Sequence, residues 1–260
     1  MDLQLEGKRA VITGGSKGIG LAIARALAAE GCDVGLAGRN IGAAEDAARS
    51  LAAESGRRVV ALTVDTGDDS AVRLMAERAV AELGGVDILV NCAATPNIGG
   101  ALREENLAHE FNVKAHGYLR TARAFAPGMV EAGWGRIINI AGLATRQSGS
   151  VVGSVRNVAV AAITKNLADE LGPSGVNVTV VHPAFTRTET TDELLTSMAR
   201  DRGVDVKEVE AGLAKGISIG RIVRAEEIAS VVAFLASPLS IAITGDAIPA
   251  GGGARAAIYY

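Results

Sequence analysis

Lys8-Arg-Ala-Val-Ile-Thr13, Gly14-Gly-Ser-Lys-Gly-Ile-Gly20 and Leu21-Ala-Ile-Ala-Arg-Ala-Leu-Ala-Ala-Glu-Gly31 follow one another near the start of the chain. The first block is apolar and β-rich, the second is glycine-rich, and the third repeats alanine and leucine at helical spacing. The stretch therefore reads as strand, tight turn, helix. Gly14, Gly18 and Gly20 form a GxxxGxG pattern. Glycine lets such a turn close and lets backbone approach a ligand, while the helix behind it turns free N–H groups and its positive dipole end toward an anion. A bare glycine pattern is weak evidence. Set between a strand and a helix, it predicts a dinucleotide-binding loop.

The same rhythm runs outward along the chain. Strand-like runs at 32–38, 58–64 and 86–91 are each followed by a helical pattern, the last a long one from about Arg103 to Met129. GRIINI (135–140), a helix over 153–171, VNVTVVHPA (176–184), a helix over 224–236 and AITGDAIPA (242–250) complete the series. Alternation of this kind predicts parallel strands joined by right-handed crossovers. Strands that are apolar throughout are expected where helices cover both faces. The predicted fold is α/β, a three-layer doubly wound parallel sheet (Rossmann fold) of seven strands, forming one domain over 1–260. The segment 184–220 breaks the rhythm with two short polar helices and reads as a substrate lid inserted in that domain.

Composition narrows the classes. The chain has 260 residues, of which 48% are hydrophobic and 21% charged, enough to bury a full core. The net charge of −3 comes with scattered Lys and Arg, which argues against a nucleic-acid or anionic-membrane partner. No run approaches the roughly 18 apolar residues of a membrane span. The N-terminus enters the first strand without a charged-then-apolar leader, so a cytoplasmic setting is expected. Cys32 and Cys92 read as small core side chains, with neither a disulfide framework nor a metal site expected.

The second strand ends Ala37-Gly38-Arg39-Asn40. An acidic side chain here would bind the ribose 2′-hydroxyl of NAD; Gly38 removes it, and Arg39 offers a cation to a 2′-phosphate. Lys17 adds a second positive charge from the glycine loop. NADP(H) is thus favoured over NAD(H).

Thr13–Gly20, GRIINI, the 153–171 helix and VNVTVVHPA together resemble the short-chain dehydrogenase/reductase family over almost the whole chain. The resemblance implies cofactor contacts from Gly14, Ser16, Lys17, Gly18, Ile19 and Gly20, and from Arg39 and Asn40. Asp65 would bond the adenine amino group, beside Thr66. Asn91 and Ala93 belong to Asn91-Cys-Ala-Ala94, where the family ends in glycine. Pro183, Thr186 and Thr188 lie in the stretch that holds the nicotinamide amide, with Ala184 replacing another glycine. The two alanines would narrow the pocket.

The family's catalytic tetrad is Asn, Ser, Tyr and Lys. By resemblance Asn112 takes the first position, whereas Gly142, Gly153 and Asn157 stand at the Ser, Tyr and Lys positions. Carbonyl reduction needs a proton for the developing alkoxide, and the family's Tyr gives it with a pKa lowered by the neighbouring ammonium. The only tyrosines are Tyr118, Tyr259 and Tyr260. Lys165 lies roughly 12 Å along the helix from position 157, too far to substitute. His182, at the end of a strand beside Pro183, titrates in the useful range and is a candidate replacement, as is Tyr118. Thr145, Arg146, Ser148, Ser150, Ser154 and Arg156 would border the substrate, the two arginines suiting an anionic one. Three readings follow: an NADP(H)-dependent oxidoreductase of a small carbonyl or alcohol with a degenerate site, a non-redox isomerase or dehydratase, and a cofactor-binding pseudoenzyme. The resemblance also implies a homotetramer or dimer built on the helices at 103–129 and 153–171. The apolar tail 255–260 is expected to pack on a neighbouring subunit.

Overall fold

The computed structural model describes residues 1–94 and 104–255. Arg103, where the long helix was expected to begin, and the tail 256–260 lie outside the described residues. Six strands come first in the chain: β1 (Arg9–Thr13), β2 (Asp33–Gly38), β3 (Val59–Thr63), β4 (Ile88–Asn91), β5 (Gly135–Ile140) and β6 (Val176–Pro183). Two short strands, β7 (Thr186–Arg187) and β8 (Val223–Arg224), form a separate pair, and β9 (Ala247–Ala250) returns to the main sheet. The main sheet has seven strands in the order β3-β2-β1-β4-β5-β6-β9, and all its pairings are parallel. Strand order reverses between β1 and β4, which opens a crevice at their carboxyl ends.

Burial explains the strand sequences. All eight residues of β6 and all six of β5 are buried, because helices cover both faces. On one face, α1 (Gly18–Ala29) and α9 (Ala225–Ala236) share a core with β1 and β2 that includes Ile12, Ile23, Leu27, Leu36, Ile228 and Val232. On the other, α3 (Asp69–Leu83), α5 (Gly117–Glu131) and α6 (Val151–Leu171) pack Met75, Phe125, Met129 and Leu167 against Leu89 and Ile137. Cys32 falls just before β2 and Cys92 just after β4, and both thiols are free.

Local signals set several boundaries. α2 (Ile41–Ser55) and α3 start at side-chain caps, where Asn40 and Asp68 accept hydrogen bonds from the N–H groups of Ala43 and Ala71. α6 begins two residues before the expected Gly153, since Ser150 Oγ accepts from the Gly153 N–H at 3.0 Å and fixes the cap one residue before Val151. The expected long helix is three pieces: α4 (Glu104–Glu110), a π-helical segment (Phe111–His116) and α5. The last strand is shorter than the apolar run that suggested it, because residues 242–246 form a turn before β9. The segment 184–220 carries α7 (Thr191–Arg202) and α8 (Val206–Lys215), joined by an apolar cluster of their own built on Leu195, Ala199 and Val209.

Candidate cofactor cleft and active site

A cleft of about 1430 Å³ opens at the strand-order reversal. It exceeds the roughly 300–1,000 Å³ of a pocket for one small molecule, which leaves room for a dinucleotide and a substrate together. The loop from Gly14 to Gly20 forms one end. Gly14 (φ +69°) and Gly18 (φ +56°) have left-handed backbone. A Cβ at Gly20 would lie 2.2 Å from the Gly14 carbonyl oxygen, so only glycine lets α1 seat against the turn. Lys17, at the N-cap, has extended backbone and provides no capping side chain, leaving first-turn N–H groups for another acceptor. One of them, on Gly18, donates to a carboxylate oxygen of Glu189 at 2.8 Å. A side chain from the 184–220 segment thus shows that this helix end takes an anion, the behaviour a pyrophosphate requires.

Almost every expected cofactor residue borders this cleft: Ser16, Lys17, Ile19, Arg39, Asn40, Asp65, Thr66, Ala93, Pro183, Thr186 and Thr188, with Gly14, Gly18 and Gly20. Lys17 and Arg39 are exposed, and around Gly38 a Cβ would meet nothing closer than Ser16 Oγ at 3.9 Å. Space and positive charge therefore coincide where a 2′-phosphate would lie. Ala94 and Ala184 also line the cleft. Asn91 does not: fully buried, it donates to Asn139 Oδ1 at 3.0 Å and accepts from Thr121 Oγ1 at 2.7 Å, which ties β4 to β5 and α5.

At the other end, Gly142, Gly153 and Asn157 border the cleft together. Asn157 is buried, and its Oδ1 has no partner among the described residues, so an acceptor stands ready for a donor brought by a bound molecule, such as a ribose hydroxyl. Its Nδ2 would lie 3.1 Å from a Cβ at Gly142. Asn112 does not face the cleft. Its Nδ2 donates to the Gly67 carbonyl at 3.0 Å, and its Oδ1 accepts from Arg120 at 2.9 Å.

The candidate replacements fare differently. His182 is fully buried in the wall, with Nδ1 3.3 Å from the Gly142 N–H and 3.2 Å from Thr145 Oγ1. Burial, with Arg146 and Lys114 nearby, pushes it down to about 4, so the ring is neutral at physiological pH. Tyr118, the other candidate, is inside the core. Its hydroxyl donates to the Ile140 carbonyl at 3.0 Å, and burial raises its pKa well above the usual value. Arg156 borders the cleft, where it is largely buried and ion-paired with Glu110 of α4. Lys165 bonds Asp169 at 2.6 Å on the exposed face of α6.

One group in the cleft wall was not among those expected. Lys114, in the π-helical segment, is buried and donates from Nζ to the Ala141 carbonyl at 3.0 Å, one residue before Gly142. Burial, with help from the Arg156 charge, lowers it to about 7. The signal was present in the sequence: Lys114 extends the buried α5 stripe of Tyr118, Thr121, Ala122 and Phe125 one turn backward, and a lysine on such a stripe asks for a reason.

The fold and cleft are those of a nucleotide-dependent oxidoreductase scaffold, and comparison with known proteins identifies which. A family described as enoyl-(acyl carrier protein) reductase matches residues 14–255. An uncharacterized oxidoreductase of Methylorubrum extorquens is 36% identical over 256 residues, covering 97% of this chain and 99% of that protein. The 3-oxoacyl-[acyl-carrier-protein] reductase of Pseudomonas aeruginosa is 34% identical, over 96% and 98% of the two chains. The crystal structure of L-sorbose reductase from Gluconobacter frateurii, complexed with NADPH and L-sorbose, superposes with a TM-score of 0.94 at 31% identity, over 99% and 100%. The chain belongs to the short-chain dehydrogenase/reductase family.

Proposed function

We propose that the protein is an NADP(H)-dependent oxidoreductase that interconverts a small carbonyl compound and its alcohol, with proton chemistry that departs from the family's. The observation carrying this is one cleft that joins an anion-accepting helix end, Lys17 and Arg39 at one extremity to Asn157 and Lys114 at the other. When bound, a reduced nicotinamide supplies a hydride to a carbonyl carbon. The chain itself does the holding. The Gly18 N–H donates to a pyrophosphate oxygen, Arg39 and Lys17 meet the 2′-phosphate, and Asn157 Oδ1 accepts from a ribose hydroxyl. Gly153 and Asn157, at the family's Tyr and Lys positions by resemblance, contribute neither phenol nor ammonium. The fit of the L-sorbose reductase and the 3-oxoacyl reductase relatives supports a polar ketone as substrate.

The proposal extends to the surroundings of the site. The whole chain acts as one domain, with 184–220 as a lid. Val151, Val155 and Val158, exposed at 53%, 41% and 48%, form an apolar stripe on α6 that suits a homo-oligomer contact. Among the described residues no helix is long and apolar enough to cross a membrane. With both cysteines free, the reading is an enzyme of the cytoplasm.

The test measures NADPH and NADH affinities by calorimetry and NADPH oxidation with L-sorbose and an acetoacetyl thioester. Preferential NADPH binding with turnover of either ketone is the expected result. Tight NADPH binding without turnover of any carbonyl would make the protein a pseudoenzyme. Conversion of substrate with unchanged nicotinamide absorbance would make it an isomerase or dehydratase.

A further inference from the structure

A buried ammonium costs heavily unless it is paired, and folds avoid one where an apolar side chain would serve. Lys114 breaks that rule. Among the described residues it makes no ion pair, and the carboxylate one turn before it, Glu110, is paired with Arg156 instead. Its hydrogen bond to the Ala141 carbonyl leaves donor capacity on a three-proton head. The head lies in the cleft wall, and the next residue along from Ala141, Gly142, adjoins Asn157. Neither Gly142 nor Gly153 puts a side chain into that part of the cleft. A π-helical segment rotates the side chains that follow it relative to an α-helix, and such segments recur at functional sites. Here the segment carries both Asn112, turned to Gly67 and Arg120, and Lys114, turned to the cleft.

We propose that Lys114 is the proton donor of this site, delivering from the π-helical segment the ammonium that position 157 lacks, an assignment that rests on the oxidoreductase reading above. Lys114 gives a proton to the carbonyl oxygen as the carbonyl carbon receives a hydride from NADPH. Ketone, NADPH and ammonium become alcohol, NADP⁺ and neutral amine, and the amine regains its proton from water entering the cleft. In the alcohol-oxidising direction the neutral amine is the base. The groups facing Lys114 set its balance. Arg156 from α6 and His182 from β6 adjoin it, the Arg156 charge and burial disfavouring the ammonium, while Glu110 from α4 and Cys92 after β4 favour it, and the Tyr118 ring stands 5.9 Å away. A group titrating at about 7 matches what an acid–base catalyst working near neutrality needs.

The experiment compares the native protein with K114M, which keeps the volume and loses the charge, and K114R, which keeps the charge but cannot release a proton near neutrality. Thermal melts identify folded variants. Turnover of L-sorbose and an acetoacetyl thioester is followed at saturating NADPH from pH 5.5 to 9, NADPH affinity by calorimetry, and the Lys114 side chain by NMR of lysine-labelled protein, assigned by its absence in K114R. The expected result has four parts. Reduction by the native protein falls as pH rises through about 7, because the donor must be protonated. Both variants lose about a hundredfold or more in rate and lose that pH dependence. Their NADPH affinity stays within about threefold of native. One lysine signal in the native protein titrates near neutrality. A folded K114M that keeps native turnover overturns the assignment while leaving the oxidoreductase reading intact. Full rescue by K114R overturns it in favour of charge alone. A tenfold loss of NADPH affinity in K114M, with turnover kept at saturation, overturns it in favour of a cofactor anchor. A native protein that reduces no carbonyl refutes the oxidoreductase reading, and the assignment falls with it.

Discussion

Replacing Glu189 by alanine should tighten NADPH binding by up to about fivefold. In the structure its carboxylate accepts from the Gly18 N–H at 2.8 Å, on the helix end where a pyrophosphate would sit. An incoming anion must break that contact and displace a like charge. A charge-assisted hydrogen bond contributes about 1.5–3 kcal/mol when shielded, but exposed charge pairs deliver only about 0.2–1 kcal/mol. Glu189 is exposed, so the lower range governs. At 1.4 kcal/mol per tenfold, removing the competitor is then worth at most about fivefold in Kd. Calorimetric titration with NADPH at low salt measures it, with E189Q as the intermediate case that keeps an acceptor without the charge. The gain should shrink in about 1 M salt, where the screening length falls to about 3 Å. A folded E189A that binds NADPH no more tightly than the native protein at low salt would refute the competition.

Arg39→Asp should reverse or erase the preference for NADPH over NADH, since a carboxylate repels a 2′-phosphate and accepts from a 2′-hydroxyl; equal native affinities for both nucleotides would remove its basis. Gly153→Tyr with Asn157→Lys sets a phenol and an ammonium one turn apart on α6 and should raise ketone reduction at least tenfold. Adding Gly142→Ser brings a Cβ to within about 3.1 Å of the side chain at 157, which must yield by a few tenths of an ångström; no gain in steady-state rate from either set would count against the register. Glu110→Gln should lower stability by about 3 kcal/mol by leaving the buried Arg156 charge without its carboxylate. Urea unfolding that moves by under about 1 kcal/mol would show that the ion pair is not what holds α4 to α6.

The parts that were legible in the sequence are those decided by short-range physics. The Gly14–Gly20 turn and the apolar strands depend on neighbours a few residues apart, and GRIINI became β5 residue for residue. The parts that were not legible depend on what a side chain meets across the fold. That Arg156 pairs with Glu110, 46 residues earlier, could not be read from its own surroundings in the chain. Tyr118 was a candidate proton donor, and it is the Ile140 carbonyl, 22 residues later, that takes its hydroxyl in the core. Asn112 and Lys114 sit two residues apart, so any helix turns them to different sides, and what each then meets, the Gly67 carbonyl or the Ala141 carbonyl, is set by segments far away in the chain. A change of helical pitch over six residues leaves almost no trace in hydrophobic periodicity. The residues gathered around the glycine turn were therefore placed together from sequence, whereas the contacts of Asn112, Tyr118 and Lys114 were not.

The cluster of Leu195, Ala199 and Val209 has a thermodynamic meaning of its own. Because α7 and α8 bury these residues against each other, shifting the pair as a body leaves both main cores closed and exposes little apolar surface. Such a motion draws on the low end of the protein's ladder of local stabilities, whereas displacing β5 or β6 would draw on the top. Glu189 precedes α7, so the free energy that positions this pair and the free energy of filling the phosphate seat are terms in a single equilibrium. If moving the pair withdraws Glu189 from the Gly18 N–H, nucleotide affinity rises, and bound nucleotide disfavours that contact by the same coupling factor.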